Sequence, residues 1–230
     1  MTVGLLGAGR TMLVASATAI ALLLSGSAYA GDQRDNSAAD RPSVPPPAGT
    51  VAIAVASSNG SGCPRGTAEV NVLPDNAGFT VTYHSKYLAW AGVGADPTDF
   101  RKNCQVNLQV DRPDGYTYAI VAGRHRGVAS LLSGSSGLQR WSYYFQGSSA
   151  TRAAEHRFTG PYGDDWATSD RFDAADLVWS PCYAERNLNV NTELRVAAGT
   201  SEPDAASFMA VDWSDDRVDA AYRFVWKACP

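Results

Sequence analysis

Apolar and polar side chains alternate with a period of two along most of the chain beyond residue 50. Alternation of this kind places one set of side chains on each face of an extended strand. It is clearest from Arg101 to Val121. Cys104, Val106, Leu108 and Val110 alternate with Gln105, Asn107 and Gln109. Asp111-Arg112-Pro113-Asp114-Gly115 then combines the fixed φ of proline with the conformational freedom of glycine, which suits a chain reversal. Tyr116, Tyr118 and Ile120 alternate with Thr117, Ala119 and Val121. The stretch predicts a central β-hairpin whose apolar face the rest of the chain must cover.

Further elements follow the same rule. Val51–Ala56 reads as a first strand. Thr67–Leu73, the turn Pro74–Gly78 and Phe79–His84 read as a hairpin. Ser85–Gly94 is less regular, and Asp96–Asp99 is a turn or a short helical turn. His125–Leu132 reads as a strand separate from the one ending at Val121. Trp141, Tyr143 and Phe145, with Tyr144 between them, suit a central strand between layers. Ala150–Phe158 is a strand or short helix, and Gly160–Asp165 a loop. Leu188, Val190, Leu194 and Val196 share one register with Thr192, opposed by Asn189, Asn191, Glu193 and Arg195. Phe208 and Ala210 mark another strand, and Tyr222, Phe224 and Trp226 the last. Short strands at roughly ten-residue intervals argue for an all-β fold, an antiparallel β-sandwich or jelly roll.

The N-terminus changes the domain picture. Arg10, the apolar run Thr11–Leu24 and then Ala28-Tyr29-Ala30 form the pattern of a secretory signal over residues 1–30. The competing membrane anchor is short for about 30 Å of hydrocarbon and has no basic stop after it. Residues 31–49, ending in Pro45-Pro46-Pro47, read as a flexible leader. Residues 50–230 form a single β-rich domain, large enough to build a core. No later run is apolar enough for stable transmembrane insertion, so secretion to the extracellular space is expected.

The four cysteines, Cys63, Cys104, Cys182 and Cys229, all follow the leader. An even count in an exported chain points to two disulfides. Three pairings are open, and Cys63–Cys104 with Cys182–Cys229, one bridge per half, is favoured. No C-x-x-C pair supports a metal reading. The formal net charge is −4 and no basic stripe is present, so nucleic acid is a poor partner. Asn59-Gly60-Ser61 matches a glycosylation sequon.

Candidate chemistry is sparse. His84, His125 and His156 are the only histidines and lack zinc-motif spacing. No G-x-S-x-G elbow marks a nucleophilic serine. Glu193, on the polar register of its strand, is a carboxylate that a glycoside hydrolase or lyase could use, and equally an ordinary solvated one. Asp212, Asp215 and Asp216 are the best hard-oxygen set, and calcium is the cation they would take; a solvated polar turn is the plainer reading. Six tryptophans are more suggestive. Trp141, Trp179 and Trp226 read as core. Trp90, Trp166 and Trp213 fall in predicted loops or strand ends, where exposed rings can stack on sugars or anchor an interface.

Several segments also fall in a recognisable order. Gly60-Ser61-Gly62-Cys63-Pro64, Arg101-Lys102-Asn103-Cys104-Gln105, Tyr143-Tyr144-Phe145-Gln146-Gly147, Gly160-Pro161, Trp179-Ser180-Pro181-Cys182, Leu188-Asn189-Val190-Asn191 and Trp226-Lys227-Ala228-Cys229 resemble the DUF4360 family of secreted bacterial and fungal proteins. The resemblance runs from Val55 to Cys229. It implies export and a β-rich domain framed by the four cysteines, and it supplies no catalytic residue. Ala210-Val211-Asp212-Trp213-Ser214 departs from the Thr-x-Asp-Ser-like string many members carry there, which weakens any inherited role for that loop. The expectation is a secreted, non-enzymatic sandwich binding surface glycan or cell-wall material. The alternatives are a carbohydrate-active hydrolase or lyase, and a structural envelope or spore-surface protein with protein partners.

Overall fold

The computed structural model describes residues 45–211 and 218–230. These residues form two antiparallel sheets packed face to face. The strands are β1 (Ala52–Asn59), β2 (Ala68–Val72), β3 (Gly78–Tyr83), β4 (Leu88–Gly92), β5 (Arg101–Asp111) and β6 (Tyr116–Leu131), followed by β7 (Ser136–Phe145), β8 (Thr151–Thr159), β9 (Tyr162–Arg171), β10 (Leu188–Ala197), β11 (Ala206–Val211) and β12 (Ala220–Ala228). One sheet has the order β1-β5-β10-β7-β8. The other runs β2-β3-β12-β6-β11-β4, with β9 also paired to β6. The all-β sandwich expected from the alternation is present, with disulfides Cys63–Cys104 and Cys182–Cys229.

The predicted central hairpin is not a hairpin. Both strands form, but β5 lies in the five-stranded sheet and β6 in the other. Residues 112–115 therefore turn a corner between layers. The physical reason is that each strand carries its own large apolar face. Cys104, Val106 and Leu108 on β5 and Tyr118 and Ile120 on β6 are all buried. Set side by side they would make one broad apolar surface; set in opposing sheets they cover each other's layer.

A second correction concerns the strand expected at His125–Leu132. It is the second half of β6. The register against β12 slips between Ile120, opposite Phe224, and Ala122, opposite Arg223. Val121 is the extra residue of a β-bulge. Its carbonyl accepts from the Phe172 amide at 2.8 Å. Before the bulge the even-numbered Tyr118 and Ile120 face the core; after it His125, Ala129 and Leu131 do. The phase change that imitates a strand end is a one-residue slip within a continuous strand.

β11 and β12 both pair antiparallel with β6, over Gly127–Ser130 and Tyr116–His125 respectively. They lie end to end along one edge of β6. β9 occupies the other edge, over Ala122–Leu131. The Gly160–Asp165 loop is shorter than expected: β9 starts at Tyr162, straight after the cis Gly160–Pro161 bond.

Aromatic side chains fill the interior. Trp141 and Phe145 of β7 meet Tyr222 and Tyr118 from the facing sheet, and Phe224 and Trp226 pack on Tyr118. Two glycines on β6 make this packing fit. A Cβ on Gly123 would sit 2.5 Å from the Trp141 ring, and one on Gly127 would sit 2.5 Å from the Trp166 ring. Glycine within a strand here marks a seat for an indole, not a break. At the domain's start Pro46 is buried, and the Asn76 side chain donates to the Pro46 and Pro47 carbonyls at 3.1 and 2.8 Å.

Candidate functional site

The outward registers of β5, β10 and β7 carry the most organised polar surface among the described residues. Side chains two apart on a strand share a face. The apolar set Val106, Leu108, Leu188, Val190 and Leu194 is buried, so the alternate positions point away from the core. Strand pairing sets them in rows. Asn59, Gln105, Asn191 and Ser142 lie opposite one another across β1, β5, β10 and β7. The next row holds Ser57, Asn107, Asn189 and Tyr144.

These side chains fix one another. Gln105 Nε2 donates to Asn189 Oδ1 at 3.0 Å and to the Tyr144 hydroxyl at 3.4 Å. Asn107 Nδ2 donates to the same Asn189 Oδ1 at 2.8 Å. Asn187 Nδ2 donates to Asn107 Oδ1 at 2.6 Å. The network immobilises each amide yet uses only part of its capacity, since an amide offers two N–H donors and two acceptor lone pairs. Asn191 and Ser142, both half-buried, have no side-chain hydrogen-bond partner among the described residues. Asn59 of the sequon stands exposed at the β1 margin of this face.

Charge gathers at one end of the surface. Arg101 faces Arg195, and Glu193 faces Arg140. Glu193 accepts from Arg101 Nε at 2.6 Å and from Arg195 Nε at 2.5 Å. Arg157 pairs with Glu155 at 2.5 Å, one strand further on. Arg140 is exposed and has no ion-pair or hydrogen-bond partner among the described residues. A depression of about 240 Å³ lies here, walled by Arg101, Asn103, Arg140, Ser142, Asn191 and Glu193. At the other end, Gln109 and Asn187 lead into an open groove of about 750 Å³ that also takes in Arg112, Tyr183, Glu185 and Arg186. From Arg101 to Gln109 the strand rises about 26 Å.

A second polar cluster lies inside the sandwich. The Tyr83 and Tyr87 hydroxyls bond Thr192 Oγ1 at 3.2 and 3.0 Å. His125 Nε2 bonds the Tyr222 hydroxyl at 2.9 Å. Burial pushes the Tyr83 and Tyr87 phenols well above their ordinary range. Burial, with the nearby His156 adding to it, pushes the His125 imidazole down to about 3, so this ring is neutral at pH 7. These groups surround a cavity of about 10 Å³, on the scale of one water molecule. The arrangement is closed to a substrate and reads as core chemistry.

The structure separates the residues marked from sequence. Trp166 lies mid-strand in β9 and is 2 % exposed, so it is not the loop residue expected and cannot stack on a ligand from solvent. Trp90 is half-buried within β4. Trp213 lies outside the described residues, as do Asp212, Asp215 and Asp216. Of the tryptophans expected in the core, Trp141 and Trp226 are there, while Trp179 is half-exposed beneath Lys227, whose Nζ sits 3.9 Å from the ring centre. His84 pairs with Glu69 and His156 with Asp170, each at the surface or partly so. Among the described residues no three His, Cys, Asp or Glu side chains converge as a metal site. The amide rows were missed because each Asn or Gln, taken strand by strand, looks like any polar alternate. The available signal was that four consecutive outward positions of β5, Asn103, Gln105, Asn107 and Gln109, and half those of β10 are amide rather than charged.

Comparison with known proteins adds three findings. The family described as "Domain of unknown function (DUF4360)" matches residues 49–229. A protein of Arthroderma benhamiae, named "Uncharacterized secreted protein", is 31 % identical over 174 residues, covering 74 % of this chain and 68 % of its own length. The enzymatically active domain of bacteriophage CBA120 tailspike protein 4 aligns at 12 % identity with a TM-score of 0.24, over 79 % of this chain and 20 % of that one. A likeness that slight carries no weight below. Among the described residues no helix is long and apolar enough to cross a membrane.

Proposed function

The chain belongs to the DUF4360 family, and from that premise we propose that it is an exported protein that binds polysaccharide along the outer face of its five-stranded sheet. The observation that supports this most is the interlocked amide network of Gln105, Asn107, Asn187 and Asn189. A sugar hydroxyl both donates and accepts, and an amide answers both needs without the desolvation cost of a charge. Side chains already held by one another lose little freedom on binding, which favours affinity. The Tyr144 ring supplies an apolar surface among them. A face about 26 Å long along the strands suits an extended chain better than a single sugar. The secreted relative fits an encounter outside the cell.

This reading moves the binding surface away from the tryptophans first marked. It keeps the glycan or cell-wall class and gives it different residues. The test is binding of the purified protein to a panel of cell-wall and storage polysaccharides, by affinity electrophoresis or calorimetry. Asn191→Ala and Gln105→Ala are each expected to weaken binding about fivefold, at roughly 1 kcal/mol per lost hydrogen bond, with unfolding curves little changed for Asn191→Ala. A protein that retains no polysaccharide above an unrelated secreted control does not have this function.

A further inference from the structure

The polysaccharide surface is not electrically uniform. The chain as a whole is acidic, at −4. Yet at the end of the face nearest the start of β5, four arginines, Arg101, Arg140, Arg157 and Arg195, stand on the outward register against two glutamates, Glu193 and Glu155. Both glutamates are already engaged, Glu193 by Arg101 and Arg195 and Glu155 by Arg157. Arg140 is exposed between them and has no partner among the described residues. It borders the depression of about 240 Å³, whose wall also includes Arg101, the Glu193 that Arg101 neutralises, and Asn103, Ser142 and Asn191 of the amide face.

Resting on the polysaccharide reading above, we propose that the ligand is an acidic polysaccharide, with a carboxylate-bearing sugar seated in this depression and its carboxylate held by Arg140. The guanidinium plane offers a fork of N–H donors matching the two oxygens of a carboxylate. Glu193 holds both Arg101 and Arg195, and Arg101 borders the same depression. Asn191 and Ser142, without side-chain partners among the described residues, stand where the hydroxyls of the same sugar would lie. The neighbouring sugars then follow the amide rows toward Gln105 and Asn107, which the buried Asn189 holds in place. An uncharged chain would leave Arg140 without an anion and gain nothing from this end of the face.

The test compares polygalacturonate with its fully methyl-esterified form and with an uncharged galactan, by affinity electrophoresis and calorimetry at low and at physiological salt. Dextran sulfate is included to separate a carboxylate seat from general attraction to anions. Polygalacturonate is expected to bind at least tenfold more tightly than its ester, and Arg140→Ala to remove about tenfold of that affinity while leaving the ester unchanged, the scale of one charge-assisted hydrogen bond. Arg140→Lys, which keeps the charge but not the fork, is expected to restore only part of it. If the ester or the galactan binds as well as polygalacturonate, the acidic-ligand proposal fails and the polysaccharide reading stands. If dextran sulfate binds as tightly and Arg140→Lys is fully active, the carboxylate seat is wrong. If none of the four is bound, this proposal fails, and the wider panel decides the polysaccharide reading.

Discussion

Asn76 ties two backbones together. Its side chain donates to Pro46 and Pro47, while its own carbonyl accepts from the Trp226 indole at 2.9 Å. It adopts φ 56°, a left-handed conformation that asparagine tolerates better than most residues. Asn76→Ala loses the amide and adds backbone strain, and is expected to lower unfolding free energy by about 2–3 kcal/mol in urea titrations. Asn76→Gly relieves the strain and isolates the hydrogen-bond share, so it is expected to cost less than alanine. His125 sets a second prediction. Its folded value near 3 lies below the ordinary imidazole value near 6.5. Above pH 7 the ring is neutral folded or unfolded, and titration contributes nothing. As pH falls below 6.5 the unfolded chain takes up a proton the folded chain refuses. Stability is then expected to fall by up to about 1.4 kcal/mol per pH unit. His125→Gln is expected to flatten that slope between pH 6 and 5, at some loss of stability at pH 7. Neither role was legible in the sequence: Asn76 reads as a turn residue and His125 as the first residue of a predicted strand. Their partners lie about 30 to 150 positions away, which periodicity cannot reach.

Strands were legible where one face is apolar and the other polar, as in β5 and β10. What the pattern does not encode is the edge each strand pairs along. β5 and β6 are joined by a short turn that would serve a hairpin, and only the need to bury two apolar faces sends them to opposite sheets. β6 was split in the sequence reading because the bulge at Val121 shifts its phase and Gly123 and Gly127 resemble punctuation. Those glycines make a sharp prediction about the element. Gly127→Ala places a methyl group 2.0 Å from the Ala210 carbonyl and 2.5 Å from the Trp166 ring. The methyl is caught between backbone and a buried indole, so β6 and β11 must part. A loss of about 3 kcal/mol or more is expected, at the upper end of overpacking costs. A thermal or urea unfolding curve matching the unsubstituted protein would show that β6 is not seated against Trp166 in this way.

At the scale of the molecule, one aromatic core joins both sheets and two disulfides flank it. Cys104 lies near the start of β5, and the Cys229 amide bonds the Gly115 carbonyl beyond that strand's far end. The pairing favoured from sequence, neighbour with neighbour, is the one formed, because both pairs come within bridging distance, with Cα separations of 5.2 and 5.6 Å. The bridges span 41 and 47 positions and their loops do not overlap in sequence. Each therefore restricts a different part of the unfolded chain, and loop entropy assigns about 4 kcal/mol to each. Sites this far apart with no shared partner are expected to act additively. Cys63→Ala with Cys104→Ala should cost about 4 kcal/mol, and Cys182→Ala with Cys229→Ala about the same. Together the losses, about 8 kcal/mol, fall within the 5–15 kcal/mol that holds a typical domain folded. The chain lacking all four cysteines is thus expected to be marginal at 37 °C, while either one-bridge form still unfolds cooperatively. Urea unfolding of the four forms at 15 °C measures this directly. A cysteine-free chain as stable as either one-bridge form would mean that the aromatic core alone determines stability and that the bridges restrain nothing the unfolded chain would otherwise explore.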